Sequence, residues 1–138
     1  MRKLIPLLMT LFPCICFAQK SSEPDGYSPI MRNALSHYFK REYDAAFPLF
    51  EEAAGNGEAK AYFYLGQAYE KGRGTSRDMK QSFDNYMEGA RLGDEDSQYT
   101  VYIKLLNGEG VKRNPKEAYK WKRAWDDAGK RTANTYKK

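Results

Sequence analysis

Few residues in this 138-residue chain could support catalysis or hold a metal ion. The single histidine, His37, has no cysteine or second histidine at a ligand spacing, because Cys14 and Cys16 both lie near the N-terminus. No serine precedes a lysine in the Ser-x-x-Lys arrangement that would activate a nucleophile. The sequence therefore predicts no catalytic residue, no metal site and no cofactor.

Two Gly-x-Gly motifs, at residues 72–74 and 108–110, have the composition of a phosphate-binding loop. Such a loop follows a strand and aims the N-terminus of a helix at the ligand. Here the glycines join two predicted helices and recur at a fixed interval, so we reject a nucleotide site. The acidic clusters at residues 51–52, 94–96 and 126–127 are typical of helix surfaces and helix N-termini, where carboxylates favour the positive end of the helix dipole.

The N-terminus has the pattern of a secretory signal peptide over residues 1–18. Arg2 and Lys3 precede an apolar run that ends at Phe17, and Ala18 supplies a small residue at the cleavage site. The run is short for a membrane span, so we expect export without stable membrane insertion. The sequence predicts a periplasmic or secreted protein, cleaved near Ala18, with a flexible polar leader over residues 19–28.

The formal charge of +5 falls by two when Arg2 and Lys3 are removed with the signal peptide. Basic residues gather towards the C-terminus, where residues 130–138 form a predicted basic tail. A basic end can attract nucleic acid, an anionic membrane or an acidic protein. An exported protein seldom meets nucleic acid, so we expect no nucleic-acid partner and favour a solvated helix face.

A period of 36 residues organises the rest of the chain. Within one unit, Ala61, Leu65 and Tyr69 lie four residues apart on one face of a helix, and Gly66 beside them would allow a neighbouring backbone to approach closely. The glycine loop then ends that helix and leads to a second helix, which is capped by Asp78 or, one period later, by Asn114. Each unit is a helix hairpin. The predicted helices span residues 29–40, 43–54, 58–71, 79–92, 95–107 and 115–128.

The pattern Ala61-x3-Leu65-Gly66-x2-Tyr69-x2-Gly72-x-Gly74 resembles the Sel1-like repeat, a relative of the tetratricopeptide repeat. The resemblance implies an all-α fold, an α/α solenoid of about three stacked hairpins. Residues 29–57 form a degenerate tetratricopeptide-like first repeat, residues 58–93 a Sel1-like repeat, and residues 94–129 a second one that also caps the array. Tyr102 replaces a close-packing glycine of the family, and Trp125 replaces a small residue in the last helix. We favour packing for Trp125 over a role in a contact surface.

The resemblance implies a protein that binds another protein on the concave face, as an immunity-type inhibitor or an adaptor. The alternative is a β-lactam-binding or weakly hydrolytic protein, as described for some exported relatives, although the mature chain lacks their cysteine pairs. A short array has large end surfaces, so a homo-oligomer is a further expectation. Carrying the tetratricopeptide pattern across places eight residues on the concave face, although some of them could instead pack against neighbouring repeats: Lys60, Phe63, Gln67, Glu70, Asp96, Tyr99, Ile103 and Leu106.

Overall fold

The computed structural model describes residues 26–135, with side chains as far as residue 131. The predicted signal peptide, most of the predicted leader and residues 136–138 lie outside the described residues. Within that range the chain forms six α-helices and no strand. They are α1 (Pro29–Phe39), α2 (Tyr43–Gly55), α3 (Ala59–Lys71), α4 (Met79–Arg91), α5 (Glu95–Asn107) and α6 (Pro115–Thr135).

Side chains cap the starts of α4 and α6 as the sequence predicts. The Asp78 carboxylate accepts hydrogen bonds from the backbone N–H groups of Lys80 and Gln81, at 2.9 and 3.0 Å. These N–H groups lie in the first turn of α4, where the helix itself provides no partner for them. The Asn114 side-chain oxygen accepts the N–H of Glu117 at 3.2 Å at the start of α6. The predicted caps are therefore confirmed.

The helices pack as three consecutive hairpins, α1–α2, α3–α4 and α5–α6, and each hairpin also packs against the next. The first helices of the second and third hairpins, α3 and α5, contact each other directly. First helices that touch across repeats line the inner side of a solenoid, which we call the concave face. The predicted all-α repeat solenoid is confirmed.

Two apolar clusters form the core. One joins α1, α2 and α3 around Met31, Phe50 and Leu65, and the other joins α4, α5 and α6 around Tyr86 and Leu105. Each cluster crosses a boundary between hairpins, so no hairpin buries its apolar face by itself.

The second glycine of each Gly-x-Gly loop packs against the preceding repeat. Gly74 has a φ of +73°, and a Cβ atom there would lie 2.8 Å from the Phe47 Cβ and collide with the Tyr43 carbonyl oxygen. Gly110, one period later, has a φ of +72°, and its Cβ would lie 2.9 Å from the Met79 carbonyl carbon. Only glycine meets both demands, a left-handed conformation and contact with another backbone. Each loop therefore holds the start of the preceding second helix.

Gly66 differs from its predicted role, because a ring and not a backbone occupies the space beside it. A Cβ at Gly66 would lie 2.7 Å from two carbons of the Tyr86 ring. Tyr86 on α4 is only 2% exposed and fills the space between the two helices of its own hairpin. The glycine therefore makes room for a large aromatic core residue.

The last helix is longer than predicted. The sequence predicts an end near Ala128, but the helix continues to Thr135, so residues 130–135 of the predicted basic tail are helical. Gly129 lies inside the helix, where one glycine costs only about 1 kcal/mol, and no proline follows to stop the helix. The glycine period therefore does not mark a helix end at this position.

Candidate functional site

A cavity of about 290 Å³ opens on the concave face between α3 and α5. Five of the eight residues predicted from the sequence line it, namely Phe63, Gln67, Glu70, Tyr99 and Ile103. The remaining lining residues are Lys71, Tyr86, Thr100, Lys104 and Glu109. We call this site the α3–α5 cavity.

The repeat period explains why these side chains meet. Phe63 and Tyr99 occupy the same position in adjacent repeats, and so do Gln67 and Ile103, so stacking places each pair side by side. The Phe63 ring packs against Tyr86 at a centroid distance of 5.7 Å. The apolar wall of the cavity is therefore held in place before any ligand arrives.

An ionic network around the buried Lys104 forms part of the wall of the α3–α5 cavity. Lys104 is only 3% exposed, and its ammonium group lies 2.9 Å from Glu70 and 3.4 Å from Glu109. The Tyr86 hydroxyl donates to the other oxygen of Glu70 at 2.8 Å. Burial alone would raise the pKa of Glu70, but the hydrogen bonds from Lys104 and Tyr86 outweigh it and lower that pKa. Glu70 is therefore ionised and links the two repeats, and both of its carboxylate oxygens already accept hydrogen bonds.

Lys60 and Asp96, also predicted for the concave face, do not line the α3–α5 cavity. They form an ion pair with each other, and Asp94 approaches the same ammonium group at 3.4 Å. Burial would lower the pKa of Lys60, but the hydrogen bond and charge of Asp96 and the charge of Asp94 outweigh it and raise that pKa. The pair borders a neighbouring pocket of about 510 Å³ at the N-terminal ends of α3 and α5.

Leu106, the last of the eight predicted residues, packs against the second core cluster and is absent from the cavity wall. Trp125 lies half-buried with its ring 4.9 Å from that of Tyr99, and Tyr99 remains 44% exposed. Trp125 therefore supports an aromatic side chain of the α3–α5 cavity by packing against it, which is the role that the sequence favours.

Sequence reasoning missed the ionic network around Lys104. Lys104 stands one period after Ala68, which is buried in the preceding repeat. A lysine at a position where the other repeat has a small core residue is the signal that could have identified it, since a buried ammonium group needs carboxylate partners. Glu109, between the glycines of the second loop, supplies one of them.

Two chemistry-bearing side chains elsewhere, those of His37 and Ser97, have structural partners. His37 lies at the corner between α1 and α2, with its Nδ1 2.6 Å from Glu42. The Ser97 hydroxyl is buried and donates to Asp94 at 2.6 Å in the cap of α5. Across residues 26–131, no three histidine, cysteine or acidic side chains come together as a metal ion would require. None of the described helices combines the length and apolar character that crossing a membrane demands.

A family model for the Sel1 repeat matches residues 59–94 and 105–121 of the chain. These ranges contain α3, α4 and both glycine loops. The chain is also similar to DAP3-binding cell death enhancer 1 of Rattus norvegicus, with 38% identity over 53 residues. That match covers 38% of this chain and 10% of the rat protein.

Several solved structures share the fold. A Sel1 repeat protein from Oxalobacter formigenes superposes with a TM-score of 0.66 at 27% identity, covering 78% of this chain and 47% of that one. Cysteine-rich protein B of Helicobacter pylori gives a TM-score of 0.63 at 21% identity, covering 72% of this chain and 82% of that one. A protective antigen present in uropathogenic Escherichia coli strains gives 0.62 at 22% identity, over 74% of this chain and 25% of that one. The chain thus spans about half the length of the Oxalobacter protein.

Proposed function

We propose that this chain, in which residues 59–94 and 105–121 match the Sel1 repeat, binds a partner protein in the α3–α5 cavity. The Sel1 repeat fold is generally a protein–protein interaction module and its members are typically non-enzymatic scaffolds. The observation that carries the proposal is the meeting of five predicted residues from two adjacent repeats in one cavity.

The composition of the cavity favours a partner side chain as its ligand. Phe63, Tyr99 and Ile103 offer rigid apolar surface, and rigid aromatic anchors give much of the affinity at protein interfaces. The charged groups beside them, Glu70 and Lys104, neutralise each other, so an entering apolar group does not leave a charge unpaired. A hydrophobic residue of the partner, surrounded by polar groups, would fit this arrangement.

The finer role that we propose is an immunity-type inhibitor or adaptor in the periplasm or outside the cell. The proposal of export is supported by Arg2, Lys3 and the apolar run that follows them. The rat relative is named as a DAP3-binding protein, which agrees with a binding role for the shared repeat segment. Sequencing the N-terminus of the protein recovered from the periplasm or medium tests export, and we expect the mature chain to begin at Gln19.

The binding site is tested by pull-down from extracts of the cell envelope, with tagged protein that begins at Gln19. The double variant Phe63→Ala, Tyr99→Ala removes both aromatic anchors of the α3–α5 cavity. The matched control is Phe39→Ala, because Phe39 is 72% exposed on α1 and does not line the cavity. Circular dichroism is used to check that each variant is folded.

We expect a partner that the parent protein and Phe39→Ala retain and the double variant loses. Once identified, that partner is purified and its affinity is measured by isothermal titration. A loss of at least one to two orders of magnitude is expected, since truncating even one interface anchor costs about 2 kcal/mol or more. Equal affinity for the folded double variant would refute the α3–α5 cavity as the binding site.

A further inference from the structure

Another pocket, of about 480 Å³, lies on the surface of the last helix. Six residues line it: Asn114, Lys116, Glu117, Lys120, Trp121 and Ala124. All of them belong to α6 or to its cap, and none lines the α3–α5 cavity. We call this site the α6 pocket.

In the preceding repeat, the equivalent positions of α4 carry residues of opposite charge that pair with each other. Lys116 and Lys120 stand one period after Lys80 and Asp84, which form an ion pair at 2.7 Å on the exposed face of α4. In α6 the aspartate is replaced by a lysine, so two like charges lie one helical turn apart. Neither lysine forms an ion pair with any side chain that the structure describes. Like charges at this spacing destabilise a helix, so local stability does not explain the replacement.

The apolar part of the α6 pocket departs from the repeat in the same way. Trp121 stands where α4 has Asn85, and Ala124 stands where α4 has the exposed Glu88. Trp121 packs against the second core cluster, and it also lines the α6 pocket. The last repeat thus combines an aromatic surface with two unpaired lysines at positions that are polar and charge-balanced one repeat earlier.

The single acidic residue of the α6 pocket, Glu117, is hydrogen-bonded to Asn114 and forms no ion pair with the two lysines. The Asn114 side-chain amide donates to the Glu117 carboxylate at 3.1 Å, and the Glu117 N–H donates to the Asn114 oxygen. Both residues are thereby engaged in the cap of α6. The pocket keeps an excess of positive charge around its aromatic surface.

We propose that the α6 pocket binds an acidic segment of a partner protein. An apolar side chain of that segment lies over Trp121 and Ala124, and its carboxylates pair with Lys116 and Lys120. Charge complementarity selects an acidic ligand, and the pocket between the lysines accommodates a side chain, which favours a peptide over a flat lipid surface. The α6 pocket shares no lining residue with the α3–α5 cavity, so this proposal does not depend on the function proposed for that cavity.

The two tryptophans of the chain, both on α6, give a direct assay. The variant Trp125→Phe leaves Trp121 as the only tryptophan, so its fluorescence reports on the α6 pocket. The probe is an acetylated ten-residue peptide of glutamates with two central leucines. The control probe has lysines in place of the glutamates.

The informative substitution is Lys120→Asp in this single-tryptophan background, because it recreates the ion pair of the preceding repeat and should keep α6 folded. The control for net charge is Lys40→Asp, since Lys40 is exposed after α1 and lies outside the pocket. We expect a saturable change in Trp121 fluorescence with the acidic peptide and none with the basic one. Lys120→Asp and added salt should each weaken binding at least tenfold, whereas Lys40→Asp should change it less than twofold.

Three results would overturn the proposal. One is the absence of saturable binding of the acidic peptide at millimolar concentration, and another is equal affinity for Lys120→Asp. The third is a fluorescence change with equimolar phosphatidylglycerol and phosphatidylcholine vesicles but none with the peptide, which would identify the pocket as a membrane contact.

Discussion

Replacing Gly74 by alanine tests the packing of each glycine loop against the preceding repeat. A left-handed conformation costs a residue with a side chain about 1–2 kcal/mol. The new methyl group would also lie 2.8 Å from the Phe47 Cβ and against the Tyr43 carbonyl, and such overpacking costs about 1–3 kcal/mol. We expect a loss of about 2–5 kcal/mol in the free energy of unfolding.

Two glycines of similar φ serve as controls because they lack the close contact. Gly72 has a φ of +64° and no atom closer than 3.5 Å to its would-be Cβ, and Gly57 has a φ of +88° and none within 4 Å. Their alanine variants should lose only the part of the free energy of unfolding that comes from the left-handed conformation, about 1–2 kcal/mol. Urea denaturation followed by far-UV circular dichroism measures all three. A Gly74→Ala variant that loses no more stability than Gly72→Ala would refute the close approach.

Three further substitutions test other parts of the structure. Gly66→Ala should lower the melting temperature in a thermal scan, because its methyl group meets the buried Tyr86 ring. Asp94→Ala removes the carboxylate that accepts the N–H and hydroxyl of Ser97 and should cost about 1–2 kcal/mol in urea denaturation. For Glu70 the folded-state pKa is lowered, so its stabilising effect is complete above its unfolded pKa of about 4.3 and is lost as the pH falls through the folded pKa. Melting temperatures between about pH 6 and pH 3 should therefore fall less steeply for Glu70→Gln than for the parent. Parallel plots of melting temperature against pH would contradict a stabilising role for the ionised Glu70 carboxylate.

The sequence predicts the architecture well because the signals for the helices and loops of each repeat lie close to them in the sequence. Apolar spacing gives the helix faces, Asp78 and Asn114 give the starts of α4 and α6, and the glycine pairs give the ends of α3 and α5. All these signals act within a few residues of the position they determine.

The site is predicted less well because its details depend on contacts between repeats. Phe63 and Tyr99 meet in the α3–α5 cavity as expected, since the period itself aligns them. The period aligns Lys60 with Asp96 in the same way, but the pattern could not tell that this ion pair would lie outside the α3–α5 cavity or that Leu106 would pack against the core. Such outcomes depend on the rotation of each helix by a fraction of a turn, which a repeat pattern does not resolve.

The packing of each glycine loop against the preceding hairpin has a consequence for biosynthesis. A ribosome makes the Tyr43 corner of α2 first, and the Gly74 loop that covers it follows 31 residues later. Until then the Phe47 side chain lacks the Tyr69 ring that packs against it at 5.6 Å in the finished protein. The first hairpin therefore cannot complete its packing until the second hairpin is available, whether the chain folds during synthesis or after export.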